Sequence, residues 1–152
     1  MRVLRAVSMF ALIAALGVAC GDDTTAIPAG LKVFTATLNG ANEKPTAVTT
    51  TAKGTAIVTV LGNQLTWKVD ITSAIDSITA GHIHHAPIDS AGGVRVNFAP
   101  APTGVGFTGT ATQGSIAVAD SIIAFMDAGN AYVNIHTKKN GAGEIRGQLV
   151  KQ

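Results

Sequence analysis

The strongest constraint on the fold is a pair of short runs in which polar and apolar residues alternate. The runs cover residues 54–61 and 64–71, and Gly62 and Asn63 lie between them. Alternation with a period of two is typical of a strand with one buried face, and a two-residue Gly-Asn connection favours a β-hairpin. We therefore predict a hairpin with the only tryptophan, Trp67, as a core anchor. Stacking of Trp67 on a ligand is the alternative.

Similar short runs recur along the chain, and they determine the predicted fold class. About eight of them, spaced roughly 8–15 residues apart and separated by glycine-rich turns, predict an all-β antiparallel sandwich. Residues 120–128 depart from this pattern because their apolar side chains fall on one helical face. We predict one short helix there, with Asp120 or Ser121 as its N-cap, packed over one end of the sheets.

The first residues indicate export rather than part of the fold. Arg2 and Arg5 precede an apolar stretch that is too short for a membrane span, and small residues follow it. We predict a signal peptide at residues 1–19, cut before Cys20, the only cysteine. Residues 16–20 resemble a bacterial lipobox, which implies lipidation of Cys20 and attachment to a membrane. An ordinary signal peptide cut at the same bond is the alternative.

Cleavage there leaves one domain behind a tether. Residues 20–30 are small, polar and aperiodic, which predicts a flexible linker, and the domain follows at residues 31–152. Gly21, rather than aspartate, after the cysteine resembles a signal for outer-membrane sorting. We therefore expect an exported protein of the bacterial cell envelope, held on the outer membrane and facing the periplasm or the cell surface.

Composition excludes some classes of function. Removing residues 1–19 lowers Lys plus Arg from 11 to 9, against 9 Asp plus Glu, so the net charge becomes 9 − 9 = 0 with neutral histidines. There is no basic stripe, and we expect no nucleic-acid partner. The chain also lacks a nucleophile elbow and a phosphate-binding glycine loop. Its two glutamates, Glu43 and Glu144, lie far apart in the chain, so the sequence identifies no catalytic residues.

Three of the four histidines lie within residues 82–85, and their spacing is compatible with a metal site, although it favours a structural role. His82 and His84 leave the same face of a predicted strand, about 6.6 Å apart at the backbone for a rise of about 3.3 Å per residue. His136 lies on the polar side of the alternating run 132–137, so three imidazoles meet if the two strands are close. Such a set suits copper or zinc. The alternative is structural, with rings that bond loop backbone and hold the strands in register.

Neighbouring polar residues are candidates to surround such an ion. Asn134 shares the polar face of the later strand, and a turn at residues 138–143 makes the last two strands hairpin partners, which places Glu144 and Arg146 nearby. We expect Glu144 and Arg146 to face outward and His85 to be exposed. Glu144 and Arg146 form either an anion site or a local ion pair.

Several motifs together resemble the CHRD domain, a module named from chordin and widespread in bacterial exported proteins. They are FTATLNGANEKP at 34–45, GTA at 54–56, HIH at 82–84, YVNIHT at 132–137 and GEIRGQL at 143–149. The similarity covers about residues 31–152. It implies an immunoglobulin-like sandwich distantly similar to copper–zinc superoxide dismutases, in a family without an established general biochemical function.

The dismutase comparison implies a metal role for some of these residues. His82 and His84 resemble the copper-binding histidine pair of the dismutases. His136 resembles their later copper ligand, and Arg146 resembles their active-site arginine. The zinc ligands and the disulfide are missing, and only His85 is available as a metal-bridging histidine. The resemblance therefore argues against a bimetallic dismutase and leaves a three-histidine, single-metal site open.

Three hypotheses about function follow, in this order. The first is a non-enzymatic module, tethered to the cell envelope, that presents loops to a protein or a glycan. The second is a copper- or zinc-binding protein that uses His82, His84 and His136. The third is a redox enzyme of dismutase type. Wide separation of the three rings would exclude the second and the third together.

Overall fold

The computed structural model describes residues 28–99 and 104–152. The predicted signal peptide, Cys20 and most of the predicted linker lie outside the described residues. Within the described ranges, no helix has the length and apolar character needed to cross a membrane.

Nine strands and one α-helix form the described part of the chain. In chain order they are β1 (Lys32–Asn39), β2 (Lys53–Leu61), β3 (Gln64–Ile75), β4 (Ile78–His85), β5 (Val94–Asn97), β6 (Phe107–Ala117), α1 (Asp120–Asp127), β7 (Ala131–Thr137), β8 (Ile145–Gln148) and β9 (Val150–Lys151). A single 3-10 turn, Gly40–Asn42, follows β1.

The strands form one antiparallel sheet that curls into a half-barrel. Hydrogen bonds join them in the order β5-β4-β7-β8-β1-β2-β3-β6, and β9 also pairs with β1. Trp67 of β3 stacks on Phe98, just after β5, with ring centroids 4.9 Å apart, although β3 and β5 lie near opposite ends of that order. Opposing walls of the curled sheet therefore enclose the core as the two layers of a sandwich do. The predicted all-β antiparallel class with one short helix is confirmed.

The β2–β3 hairpin is built as its alternation predicts. Gly62 in the two-residue turn has φ +60°, a conformation that glycine adopts without strain. Every second residue from Leu65 to Ile71 is buried. Trp67 is 8% exposed, and its indole N–H donates to the hydroxyl of Thr112 at 3.2 Å. Trp67 is thus a core anchor, and burying a side chain of this kind contributes about 1.5–3 kcal/mol.

The helix α1 lies where it was predicted but begins differently. Its N-cap is Ala119, which makes no side-chain capping bond, so the prediction of Asp120 or Ser121 as the cap is wrong. Asp120 instead occupies the first turn, where a negative charge interacts favourably with the helix dipole. Ile123 and Met126 pack into the core.

Candidate metal centre

The candidate site lies on one face of three adjacent strands, β4, β7 and β8. Residues paired across antiparallel strands project from the same side of a sheet, so the register identifies the face. The rows across it are His82–Asn134–Arg146 and His84–Tyr132–Gln148, with His136 opposite Ala80. The intervening residues of the same strands, including Ile83, Val133 and Ile135, are fully buried in the core on the other side.

The three histidines of this face converge. Each ring contributes one nitrogen to a group of three nitrogens that all lie within 4.8 Å of one another. Nδ1 of His82 and Nε2 of His136 are 2.9 Å apart, and the ring centroids of His82 and His84 are separated by 5.3 Å. The three residues that meet are His82, His84 and His136, as the alternation along the two strands predicts.

Two backbone carbonyls determine how the rings are protonated. Nδ1 of His84 lies 2.8 Å from the carbonyl oxygen of Gly92, and Nδ1 of His136 lies 3.1 Å from that of Gly141. A carbonyl only accepts, so each Nδ1 carries the proton and each Nε2 keeps a lone pair. Nε2 of His136 then accepts from Nδ1 of His82. Nε2 of His84 is buried and has no hydrogen-bond partner.

The surroundings keep these imidazoles neutral. Burial, followed by the nearby charges of His136 and His84, lowers the pKa of His82 from 6.5 to about 4. Burial also lowers the pKa of His84 and of His136, and outweighs the opposing effect of the carbonyls of Gly92 and Gly141. An imidazole binds a metal only when it is neutral, because the ion needs a ring nitrogen with a free lone pair. The lowered pKa values therefore suit these three rings to a role as metal ligands.

A scan against family models matches the CHRD domain over residues 34–149. The chain belongs to the CHRD family. No curated protein and no solved structure matched it. The lipoprotein assignment and the similarity to superoxide dismutases remain predictions.

Loops cover the histidine face of this CHRD domain. The loop at residues 86–93 is held by Arg146, whose Nη2 donates to the carbonyls of Pro87 and Ile88 at 3.2 Å each. It is also held by the amide of Gln148, which donates to the carbonyl of Ala86 at 3.0 Å. As a result, His84 and His136 are buried and His82 is only half-buried, which leaves His82 as the most accessible of the three rings.

Arg146 lies beside the histidine rings, and the ring of Tyr132 separates it from His84. Its guanidinium carbon lies 3.6 Å from the ring centroid of Tyr132, and Tyr132 stacks on His84 with centroids 4.8 Å apart. The stack fixes the plane of the His84 ring. Arg146 is 2% exposed, so the prediction that it faces outward is wrong. The loop at residues 86–93 folds over it and supplies carbonyl acceptors.

The other predicted neighbours have partners of their own. Glu144 is buried rather than outward-facing, and its carboxylate accepts from Thr137 at 3.0 Å and from Asn140. Burial raises the pKa of Glu144, but hydrogen bonds, that of Asn140 foremost, outweigh it and the net pKa is lowered. Asn134 donates to Glu43 at 3.1 Å. His85 is half-buried, not exposed, and stacks on Phe125 with centroids 4.3 Å apart.

Glu43 is a site residue that sequence reasoning missed. It lies in a segment that has the composition of a loop, yet it is 4% exposed and its Oε1 has no hydrogen-bond partner. Burial raises the pKa of its carboxyl from 4.5 to about 7, against the lowering effects of Asn134 and Arg146. Its position within the FTATLNGANEKP motif was the only sequence signal that could have identified it.

Proposed function

We propose that this CHRD domain is an extracellular-type interaction module that holds one copper or zinc ion through His82, His84 and His136, with the ion displacing the proton that Nδ1 of His82 shares with Nε2 of His136. The observation that carries the proposal is the buried Nε2 of His84, which has no hydrogen-bond partner although its ring belongs to a cluster of three imidazoles with one nitrogen each within 4.8 Å of the others. An acceptor buried without a partner costs about 1–3 kcal/mol, and a bound cation would remove that cost.

The donor set fits such an ion. Neutral imidazoles are common ligands of copper and zinc, and carbonyl partners on the outer ring nitrogens are the usual means of orienting them. A bound ion would supply a fixed positive charge and a Lewis acid at this face. We propose binding rather than catalysis, because the loop at residues 86–93 covers the face and supports retention of an ion more than turnover of a substrate.

Metal titration of the purified protein tests this proposal. After treatment with a chelator, the protein should bind one equivalent of Cu²⁺ or Zn²⁺ and unfold at a higher temperature, because an ion that binds only the folded state adds about 2.7 kcal/mol at a hundred times its Kd. His84→Gln should abolish both effects. His85→Gln is the matched control, because that neighbouring ring stacks on Phe125 outside the cluster.

The competing interpretation is purely structural. The His82–His136 hydrogen bond joins β4 to β7 without any ion. A folded wild-type protein that binds no ion at stoichiometric concentration would support that interpretation and end the metal proposal.

The envelope tether is proposed on the sequence alone. CHRD domains are typical of extracellular proteins, and the lipobox-like residues 16–20 support anchoring through Cys20, with an envelope protein or glycan as the partner of the module. Retention of a Cys20→Ser variant in the membrane fraction would contradict the anchor.

A further inference from the structure

A cleft opens beside the histidine face, on the outer surface of β1 and the last two strands. Its volume is about 430 Å³. Two of its charged side chains, Lys44 and Arg146, are cationic and one, Asp89, is anionic. The residues that line it include Thr37, Asn42 and Gln148. The cleft therefore combines an excess of positive charge with amide and hydroxyl groups.

The guanidinium of Arg146 is incompletely paired. Its Nη2 is directed at neutral acceptors: the carbonyls of Pro87 and Ile88 and, at 3.4 Å, the side-chain oxygen of Gln148. Its Nη1 is buried without a partner. Buried arginines are normally paired with a carboxylate, because a buried charge without one costs several kcal/mol.

No carboxylate of the described residues fills that role. The ion pairs of this part of the chain join Lys32 and Lys151 to Asp127 and Lys68 to Asp70, and none involves Arg146 or Lys44. Glu43 and Asp89 are close enough to interact electrostatically with Arg146, but neither forms an ion pair with it, and burial raises the pKa of the Glu43 carboxyl to about 7. Arg146 therefore has no carboxylate in direct contact among the described residues.

We propose that the cleft binds a small oxyanion, a carboxylate or a phosphate group, between Arg146 and Lys44. The unpartnered Nη1 of Arg146 can donate to an oxygen of such a group, and the ammonium of Lys44 adds a second positive charge. The site is distinct from the histidine cluster, since Arg146 reaches His84 only through the Tyr132 ring. It requires no metal.

Titration of the chelator-treated full chain with acetate and, separately, inorganic phosphate tests the site. Ionic strength is held constant with sodium chloride, and amide chemical shifts are followed by NMR. Saturable shifts confined to the cleft are expected with at least one of the two anions. The anion that saturates at the lower concentration identifies the class of ligand.

Variants that change the charge of the cleft test whether its side chains bind the anion. Lys44→Gln should raise the Kd by about threefold to fivefold, and Asp89→Asn should lower it by about threefold, since a nearby charge at the surface contributes up to about 1 kcal/mol. Lys53→Gln, an exposed lysine outside the cleft, is the control and should leave the Kd unchanged. Shifts that do not saturate with either anion, or equal Kd values for Lys44→Gln and Lys53→Gln, would overturn the proposal.

Discussion

At the scale of single residues, the two glutamates illustrate how burial and hydrogen bonding decide the charge of a carboxyl group. Glu43 receives one hydrogen bond, from Asn134, and burial raises its pKa to about 7. Glu144 is also buried, but donors that include Thr137 and Asn140 lower its pKa below 4.5. The same residue type is therefore destabilising when ionised at one position and stabilising when ionised at the other.

Replacing each glutamate with glutamine should change stability in opposite directions. The folded-state pKa of Glu43 lies above its unfolded value, so stability is lost as the pH rises from about 4.5 to about 7, and the loss is complete above 7. Glu43→Gln should therefore stabilise the metal-free protein by about 1–3 kcal/mol at pH 8 and have little effect at pH 5. Urea unfolding at the two pH values measures the difference.

Glu144→Gln is the matched control for that experiment. Its folded-state pKa lies below the unfolded value, so the charge contributes stability at every pH well above 4.5. The variant should lose about 1–2 kcal/mol at pH 8. Destabilisation of the protein by Glu43→Gln at pH 8 would show that its carboxylate is paired in the folded state.

These residues also mark what the sequence could and could not predict at this scale. Alternation along β4 and β7 identified which histidines share a face, because side-chain direction in a strand is a local property. The burial of Glu43, Glu144 and Arg146 depends on loops that return to the face from distant parts of the chain. No local pattern reports such coverage, so outward-facing charges were predicted for the last strand.

At the scale of elements, the loop at residues 86–93 connects the fold to the candidate site. Its Gly92 packs against the end of β4, where an added Cβ would lie 1.9 Å from the carbonyl oxygen of His85. The carbonyl of the same glycine holds Nδ1 of His84. The small residue thus permits the close approach that orients one ring of the cluster.

Gly92→Ala should therefore disturb both the loop and the site. We expect a loss of about 1–3 kcal/mol, as for other overpacked positions, and metal binding weakened by about tenfold or more because the His84 ring loses its orienting carbonyl. Gly93→Ala is the neighbouring control, because a Cβ added there would have no neighbour within 4 Å. Thermal unfolding and metal titration of both variants test this. Equal behaviour of the two variants would argue against close packing at Gly92.

The strands and the helix themselves were largely predictable, and their assembly was not. The hairpin of β2 and β3 follows from its turn and its alternation, and α1 follows from its periodicity. The pairing of β8 with β7, which carries Arg146 to the histidine face, follows from the turn at residues 138–143, but the pairing of β8 with β1 joins strands distant in sequence. Sequence periodicity predicts which side chains of a strand share a face, but it does not predict which strands pair with each other.

At the scale of the whole molecule, the histidine cluster should make the metal-free domain sensitive to mild acid. The folded-state pKa of His82 is about 4, against 6.5 ordinarily, and those of His84 and His136 are lowered too. Between these values the unfolded chain binds more protons than the folded one, so stability falls as the pH drops from 6.5 towards 4. The carboxylates with lowered pKa values lose their contribution only below about 4.5. Glu43 opposes the trend, because its contribution grows over part of the same range.

The Glu43→Gln variant removes that opposing contribution and isolates the effect of the rings. In this background, and without metal, the free energy of unfolding should fall between pH 7 and pH 5 by on the order of 2 kcal/mol, allowing for solvent screening of the half-buried His82. Adding His82→Gln should reduce the slope. Urea unfolding across this range measures both. A flat profile for Glu43→Gln would mean that the three rings titrate at the same pH in the folded and unfolded protein, which would contradict burial as the cause that keeps them neutral at the site.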